Sequence, residues 1–139
     1  MIILDTNVLS EALSPAPSRT TMAWLAAQDR GAVFTTAITQ AEVLYGIEIL
    51  PAGKRRSSLS AAVKRIFRDE FPGRILAFDE EAAGVYPGIV AGRAAMGRPI
   101  SQLDAMIASI AGSRGSAIAT RNVRDFEHCG IEVVNPWFE

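Results

Sequence analysis

Asp5, Glu42, Asp104 and Asp125 are the residues whose types and placing could do chemistry together. Asp5 closes the apolar run Ile2-Ile3-Leu4. Asp125 follows Asn122 just beyond the run Ala117-Ile118-Ala119. Glu42 and Asp104 stand where helices are expected to open. In an open parallel sheet, ligands gather beyond the carboxyl ends of the strands, and helices that run back from those ends begin at the same edge. The four acids are therefore expected to converge from four separate places. Clustered carboxylates repel one another and raise each other's pKa unless a cation neutralises them. Their oxygens suit the hard ions Mg²⁺ and Mn²⁺, and an ion so held can activate water and clamp a phosphate. Each acid alone also has a plainer reading. Thr39-x-x-Glu42 fits a capping box and Ser101-x-x-Asp104 a looser one, while Asp5 and Asp125 could be turn or cap residues.

The elements that would position these acids are legible along the chain. Ile2–Leu4 reads as a short strand covered on both faces, because its apolar run has no polar alternation. Thr6-Asn7 turns into a short helix that Pro15 and Pro17 stop. A helix is expected from Ser18 to Arg30, ended by Gly31, then a strand at Val33–Thr36 and a helix from Ile38 to Leu50. Lys54 to Arg68 forms a basic amphipathic helix, with Leu59, Val63, Ile66 and Phe67 on its apolar side. Arg74–Phe78 reads as a third strand. Asp79 then caps a helix running to about Met96, which Pro87 should kink. Ser101 opens a helix to Ser113, and strands follow at Ala117–Ala119 and Glu132–Val134. Short strands alternating with helices predict a three-layer α/β/α sandwich around a mainly parallel sheet of about five strands.

Composition bounds the rest. With 139 residues, 49% hydrophobic, the chain is expected to form one domain with a core that needs no staples. The single cysteine, Cys129, excludes an internal disulfide. That thiol, and a start without a basic n-region or cleavage site, favour the cytoplasm. Charged residues break every apolar stretch too early for a membrane span. Fourteen basic residues against fifteen acidic ones give a net charge of −1. Without the four candidate acids the remainder is mildly basic, so the near-balance does not exclude nucleic acid as a partner.

Four ordered motifs give the chain a family resemblance: Met-Ile-Ile-Leu-Asp5-Thr-Asn7-Val-Leu, Thr36-Ala-Ile-Thr-Gln-Ala-Glu42-Val-Leu-Tyr-Gly46, Asp104-Ala-Met-Ile-Ala-Ser and Thr120-Arg-Asn122-Val-Arg-Asp125-Phe. Together they resemble PIN-domain ribonucleases, with order and spacing nearest the VapC-type toxins of the FitB-like branch. Asn135-Pro136-Trp137 matches a C-terminal motif of that branch. The resemblance implies a Mg²⁺- or Mn²⁺-dependent endoribonuclease, the toxin of a type II pair silenced by a cognate antitoxin. It also implies a homodimer, and a hetero-oligomer with the antitoxin on operator DNA. Asp5 and Asp104 match the principal metal-binding aspartates, and Glu42 the glutamate that helps hold metal or orient water. Asn7 matches a supporting position beside Asp5. Thr120 and Asn122 fall in the loop where members carry a Thr or Ser and a fourth polar or acidic group. Asn122 stands where some members have Asp, so either it or Asp125 completes the set.

Other readings stay beside this one. Asp5-Thr-Asn7-Val brushes a phosphatase pattern, but Asn7 lacks the proton of a general acid. His128 beside Cys129 lacks the further ligands a zinc site needs. Arg121 and Arg124 flank the acidic edge and are candidates for RNA phosphates, as is the Lys54–Arg68 segment, whose plainer reading is a solvated face. A nuclease of RNA processing without a toxin role is one alternative. A binding module whose acidic pocket receives an Arg-rich peptide is another.

Overall fold

The computed structural model describes residues 1–138. Strand β1 (Ile2–Leu4) leads into helix α1 (Thr6–Ala12) and α2 (Arg19–Ala26), then β2 (Val33–Thr36), α3 (Ala37–Glu48) and α4 (Lys54–Glu70). Strand β3 (Ile75–Leu76), α5 (Glu80–Ala95), α6 (Gln102–Arg114), β4 (Ala117–Ala119) and β5 (Val133–Val134) follow. All pairings are parallel and the strand order is β3-β2-β1-β4-β5. The chain thus builds outward from β1 to one edge, then returns to pair β4 against the other side of β1. That reversal opens a crevice beyond the carboxyl ends of β1 and β4.

Alternation along the strands divides the core in two. Ile3 and Ile118 point to one face and pack with Ile107, Ile110, Ala82 and Ile89 of α5 and α6. Leu4 and Ala119 point to the other and pack with Val8, Val43, Val63 and Phe67 of α1, α3 and α4. Each fully buried Ile or Leu contributes about 1.5–3 kcal/mol by leaving water. The expected three-layer α/β/α sandwich with a five-stranded sheet is the observed architecture. Among the described residues no helix is long and apolar enough to cross a membrane.

Local chemistry sets most boundaries. Asp79 caps α5 through the Ala82 N–H at 3.0 Å. Gly115 ends α6 with φ of 63°, a left-handed conformation that a side chain would strain. Four expected boundaries move. Helix α2 stops at Ala26, because Asp29 instead caps a separate 3₁₀ turn at Arg30–Ala32. Strands β3 and β5 keep only the residues that find a neighbouring strand to pair with. Helix α3 begins at Ala37, where the Thr36 hydroxyl accepts from the Thr39 N–H at 3.0 Å. Helix α5 continues through Pro87.

Candidate active site

Asp5 leaves β1 at the crevice and caps α1. Its backbone N–H donates to the Ala119 carbonyl of β4 at 2.9 Å, which locks the two strand ends together. The carboxylate is buried, with 5% of the residue exposed. Oδ1 accepts from the Thr6 N–H at 2.8 Å, and Oδ2 accepts from Thr120 Oγ1 at 2.8 Å and Asn7 Nδ2 at 3.2 Å. A carboxylate has about four lone-pair sites, so these bonds fix its orientation and leave capacity for one further partner.

Glu42 reaches the same place from the second turn of α3. The capping-box reading of this residue does not hold, since Thr36 caps α3 and not Thr39. Mid-helix, Glu42 points back toward α1, where its Oε1 accepts from Thr6 Oγ1 at 3.1 Å. Asp104 lies in the first turn of α6, and its N–H donates to the capping Ser101 hydroxyl at 3.2 Å. The capping relation expected there is present, and it leaves the carboxylate facing the crevice acids. Asp125 sits in a 3₁₀ turn, Val123–Asp125, just past β4.

Three of the acids are raised, each by burial first and by neighbouring acidic charge after it. Burial pushes the Asp5 carboxyl above its ordinary range; the bonds from Thr120 and Thr6 oppose this, the Asp125 charge adds to it, and the Asn7 bond opposes it. Glu42 is raised by burial first, against the Thr6 bond, with the Asp5 and Asp104 charges adding. Asp104 is raised by burial, against the Ser101 hydroxyl, with the Asp5 and Asp125 charges adding and the Arg93 charge opposing. Carboxylates raised by desolvation first and by neighbouring negative charge second make a place that favours a positive charge.

Among the described residues, no three His, Cys, Asp or Glu side chains stand close enough together to hold a metal ion between them. The donor set nonetheless fits a hard, oxygen-seeking cation. It holds only carboxylate and hydroxyl oxygens, and Mg²⁺ is commonly bound through one or two carboxylates while it keeps several waters.

The remaining expected residues divide. Asn7 bridges the strand ends: its Nδ2 donates to Asp5 and, at 3.1 Å, to Thr120 Oγ1, while its Oδ1 accepts from the Arg121 N–H at 3.0 Å. Thr120 is fully buried against Asp5. Asn122 is exposed and precedes the 3₁₀ turn without a side-chain capping bond. Arg121 is exposed beside the site, its guanidinium 5.2 Å above the Trp137 ring. Arg124 is also exposed.

The family of PIN domains matches residues 2–131. The chain belongs to the PIN-domain family. It is 37% identical over 137 residues to VapC ribonuclease Y4jK of Sinorhizobium fredii, covering 99% of this chain and 98% of that one. It is equally similar, 37% over 139 residues and 100% of both chains, to Toxin FitB of Neisseria gonorrhoeae. Among solved structures it resembles a chain of FitAB bound to an IR36 DNA fragment, with a TM-score of 0.94, 37% identity and coverage of 100% and 97%. DNA-bound VapBC from Salmonella typhimurium gives a TM-score of 0.76 at 28% identity, covering 97% of each chain.

In this PIN domain two participants escape a reading of the sequence. Thr6 links Asp5 to Glu42, yet nothing in its type marks it apart from a helix-start threonine. Trp137 carries Arg121, a contact between residues sixteen positions apart whose only sequence signal is the terminal Asn-Pro-Trp. The Thr120 hydroxyl makes a sharper test of the hub. Besides donating to Asp5, it accepts from Asn7 Nδ2 and from the Asn122 N–H at 3.1 Å. Thr120→Val keeps the shape and strands these partners, so urea denaturation should show a loss of about 1–3 kcal/mol. An unchanged midpoint and slope would mean that the hydroxyl is not the hub of the strand ends.

Proposed function

We propose that the protein is a divalent-cation-dependent endoribonuclease, the toxin of a type II pair that a cognate antitoxin silences. The observation that carries this reading is the gathering of acids at the β1/β4 crevice, where burial and neighbouring acidic charge raise the Asp5, Glu42 and Asp104 carboxyls and Asp5 is buried and oriented by three hydrogen bonds. The names of the full-length relatives, a VapC ribonuclease and the toxin FitB, support the substrate class and the toxin role.

In this reading Asp5 and Asp104 hold Mg²⁺ or Mn²⁺ with Glu42, and Asp125, rather than Asn122, supplies the fourth carboxylate. Support for Asp125 comes from its charge, which both Asp5 and Asp104 feel. The bound ion would neutralise the acids and supply Lewis-acid assistance to phosphodiester hydrolysis. The chain's own groups do the rest. Thr6 holds one oxygen of Glu42, leaving the other to orient a water and accept its proton. Asn7 and Thr120 keep Asp5 from turning away. Arg121, braced on Trp137 beside the acids, meets an RNA phosphate, and exposed Arg124 adds a second charge.

A groove of about 720 Å³ is lined by Thr6 and Glu42 together with Leu13, Val43, Ile47, Leu59 and Arg55. It supports docking of an antitoxin segment that is apolar along its length and ends in an arginine at the acids. The same chemistry serves the narrower reading of a pure binding module, which the cleavage test separates. Tyr45 and Ile49, 66% and 63% exposed on α3, support a homodimer. The DNA-bound relatives support assembly with the antitoxin on operator DNA. The single buried thiol, Cys129, suits the cytoplasm.

The test is direct. Purified protein should cleave RNA with Mg²⁺ or Mn²⁺, stop with chelator, and stop again on adding an arginine-bearing antitoxin peptide. Tight peptide binding without any cleavage would leave only the binding module, and cleavage indifferent to chelator would remove the cation from the reaction.

A further inference from the structure

Arg93 lies in α5 with 5% of its surface exposed, a costly place for a side chain that stays charged. No carboxylate among the described residues is within ion-pair distance of it. Its Nε and Nη1 donate to backbone instead. Nε donates to the Arg98 carbonyl at 2.7 Å. Nη1 donates to the Asp125 and Glu127 carbonyls, each at 3.0 Å, and reaches Cys129 Sγ at 3.7 Å. Between those two carbonyls Phe126 is 1% exposed and anchors the turn in the core.

An apolar side chain of similar volume would fill this space at no greater cost, since replacing buried charges by hydrophobic groups is often neutral or stabilising. It could not grip both sides of the turn that carries Asp125. Arginine can: its Nη1 takes both turn carbonyls while its Nε, held at a fixed angle in the same plane, takes the Arg98 carbonyl and braces the turn against that loop. We propose that Arg93 is the positioning residue of the Asp125 turn. Through two backbone carbonyls it sets where the fourth carboxylate stands, and so governs cation affinity without touching cation or RNA. The proposal rests on the nuclease reading only for the role given to Asp125.

The experiment is a double-mutant cycle of Arg93→Met and Asp125→Asn. Mn²⁺ affinity is read by calorimetry, amide exchange over 123–127 by mass spectrometry, and RNA cleavage in parallel. Arg93→Met should speed exchange across the turn and weaken Mn²⁺ binding about tenfold, the usual scale for residues that orient ligands. Arg93→Lys, which keeps the charge and loses the fork, should recover only part. The double variant should bind no worse than the weaker single variant, because both losses act through one carboxylate, while removing the Arg93 charge that Asp104 feels acts in the opposite direction, toward tighter cation binding. Fully additive losses, or unchanged Mn²⁺ affinity in a folded Arg93→Met, would overturn the proposal. If Arg93→Met does not fold, Arg93→Lys takes its place in the cycle; if neither folds, the residue is a strut and the proposal fails. Mn²⁺ binding by the parent without cleavage overturns the nuclease reading alone, whereas no Mn²⁺ binding overturns both.

Discussion

Asp5→Asn should reduce cation-dependent RNA cleavage by about a thousandfold while the chain stays folded. The magnitude follows from losing several kcal/mol of charge stabilisation at the site, about 4 kcal/mol at 1.36 kcal/mol per tenfold. The fold should persist for local reasons. Asparagine caps helices as well as aspartate, so its oxygen can still take the Thr6 N–H at the start of α1. Its amide nitrogen would then face Asn7 Nδ2, donor against donor, and the two bonds that Oδ2 accepts now, from Asn7 and from the Thr120 hydroxyl, would be lost. Against that loss, a buried carboxylate that resists ionisation has been removed. The two effects oppose, and the melting temperature should move by only a few degrees. Circular dichroism with a cleavage time course checks both halves; a folded Asp5→Asn that still cleaves at the parent's rate would refute the assignment of this crevice as the active site.

The second large effect is on stability, and its sign is set by the direction of the pKa shifts. Asp5, Glu42 and Asp104 all lie above their ordinary values of 3.8, 4.5 and 3.8. A carboxyl raised in the fold favours folding when protonated, so its contribution is fully present below the unfolded value. It is lost as pH climbs through the folded one. Without divalent cation, the Glu42→Gln, Asp104→Asn double variant should therefore melt higher than the parent at pH 7. That gap should close as pH falls back to the ordinary carboxylate range.

Adding Mg²⁺ or Mn²⁺ should do for the parent what the substitutions do for the variant. At a hundred times the dissociation constant, binding adds about 2.7 kcal/mol. At ~2 cal/mol/K per residue, that is roughly 9 °C on the melting temperature, reversed by chelator. Protons compete for the same oxygens, so the gain should fade at acid pH. Thermal melts across pH, with and without cation, test this directly. A parent that gains nothing from either ion at pH 7, or a variant that melts lower than the parent there, would show that the acids do not form a cation site.

Much of this was open to a reader of the residues. Ile2–Leu4 and Ala117–Ala119 read as buried strands because their apolar runs carry no alternation. Asp79 and Ser101 marked helix starts because capping depends on the residue at one position and the amides next to it. These are local effects, and the sequence states them locally. The edges failed where pairing decides. Phe78 has strand-like neighbours but no partner strand to extend β3, Arg74 reaches β2 only through its carbonyl, and Glu42 read as the partner of a capping Thr39 until Thr36 took the cap.

By itself, then, the sequence determined the layer architecture, the alternation of strands and helices, and four acids at element ends whose ordered motifs carry a family resemblance. Only the tertiary structure decided which of those acids meet. Strand order places β4 beside β1, so Thr120 locks onto both Asp5 and Asn7 across more than a hundred residues. It also turned Arg93, an unremarkable charge in a mostly apolar helix, into a clamp on the Asp125 turn. Hydrogen bonds and burial between distant segments depend on how whole elements dock. That docking is set by the summed packing of both cores, which no local pattern of residues spells out.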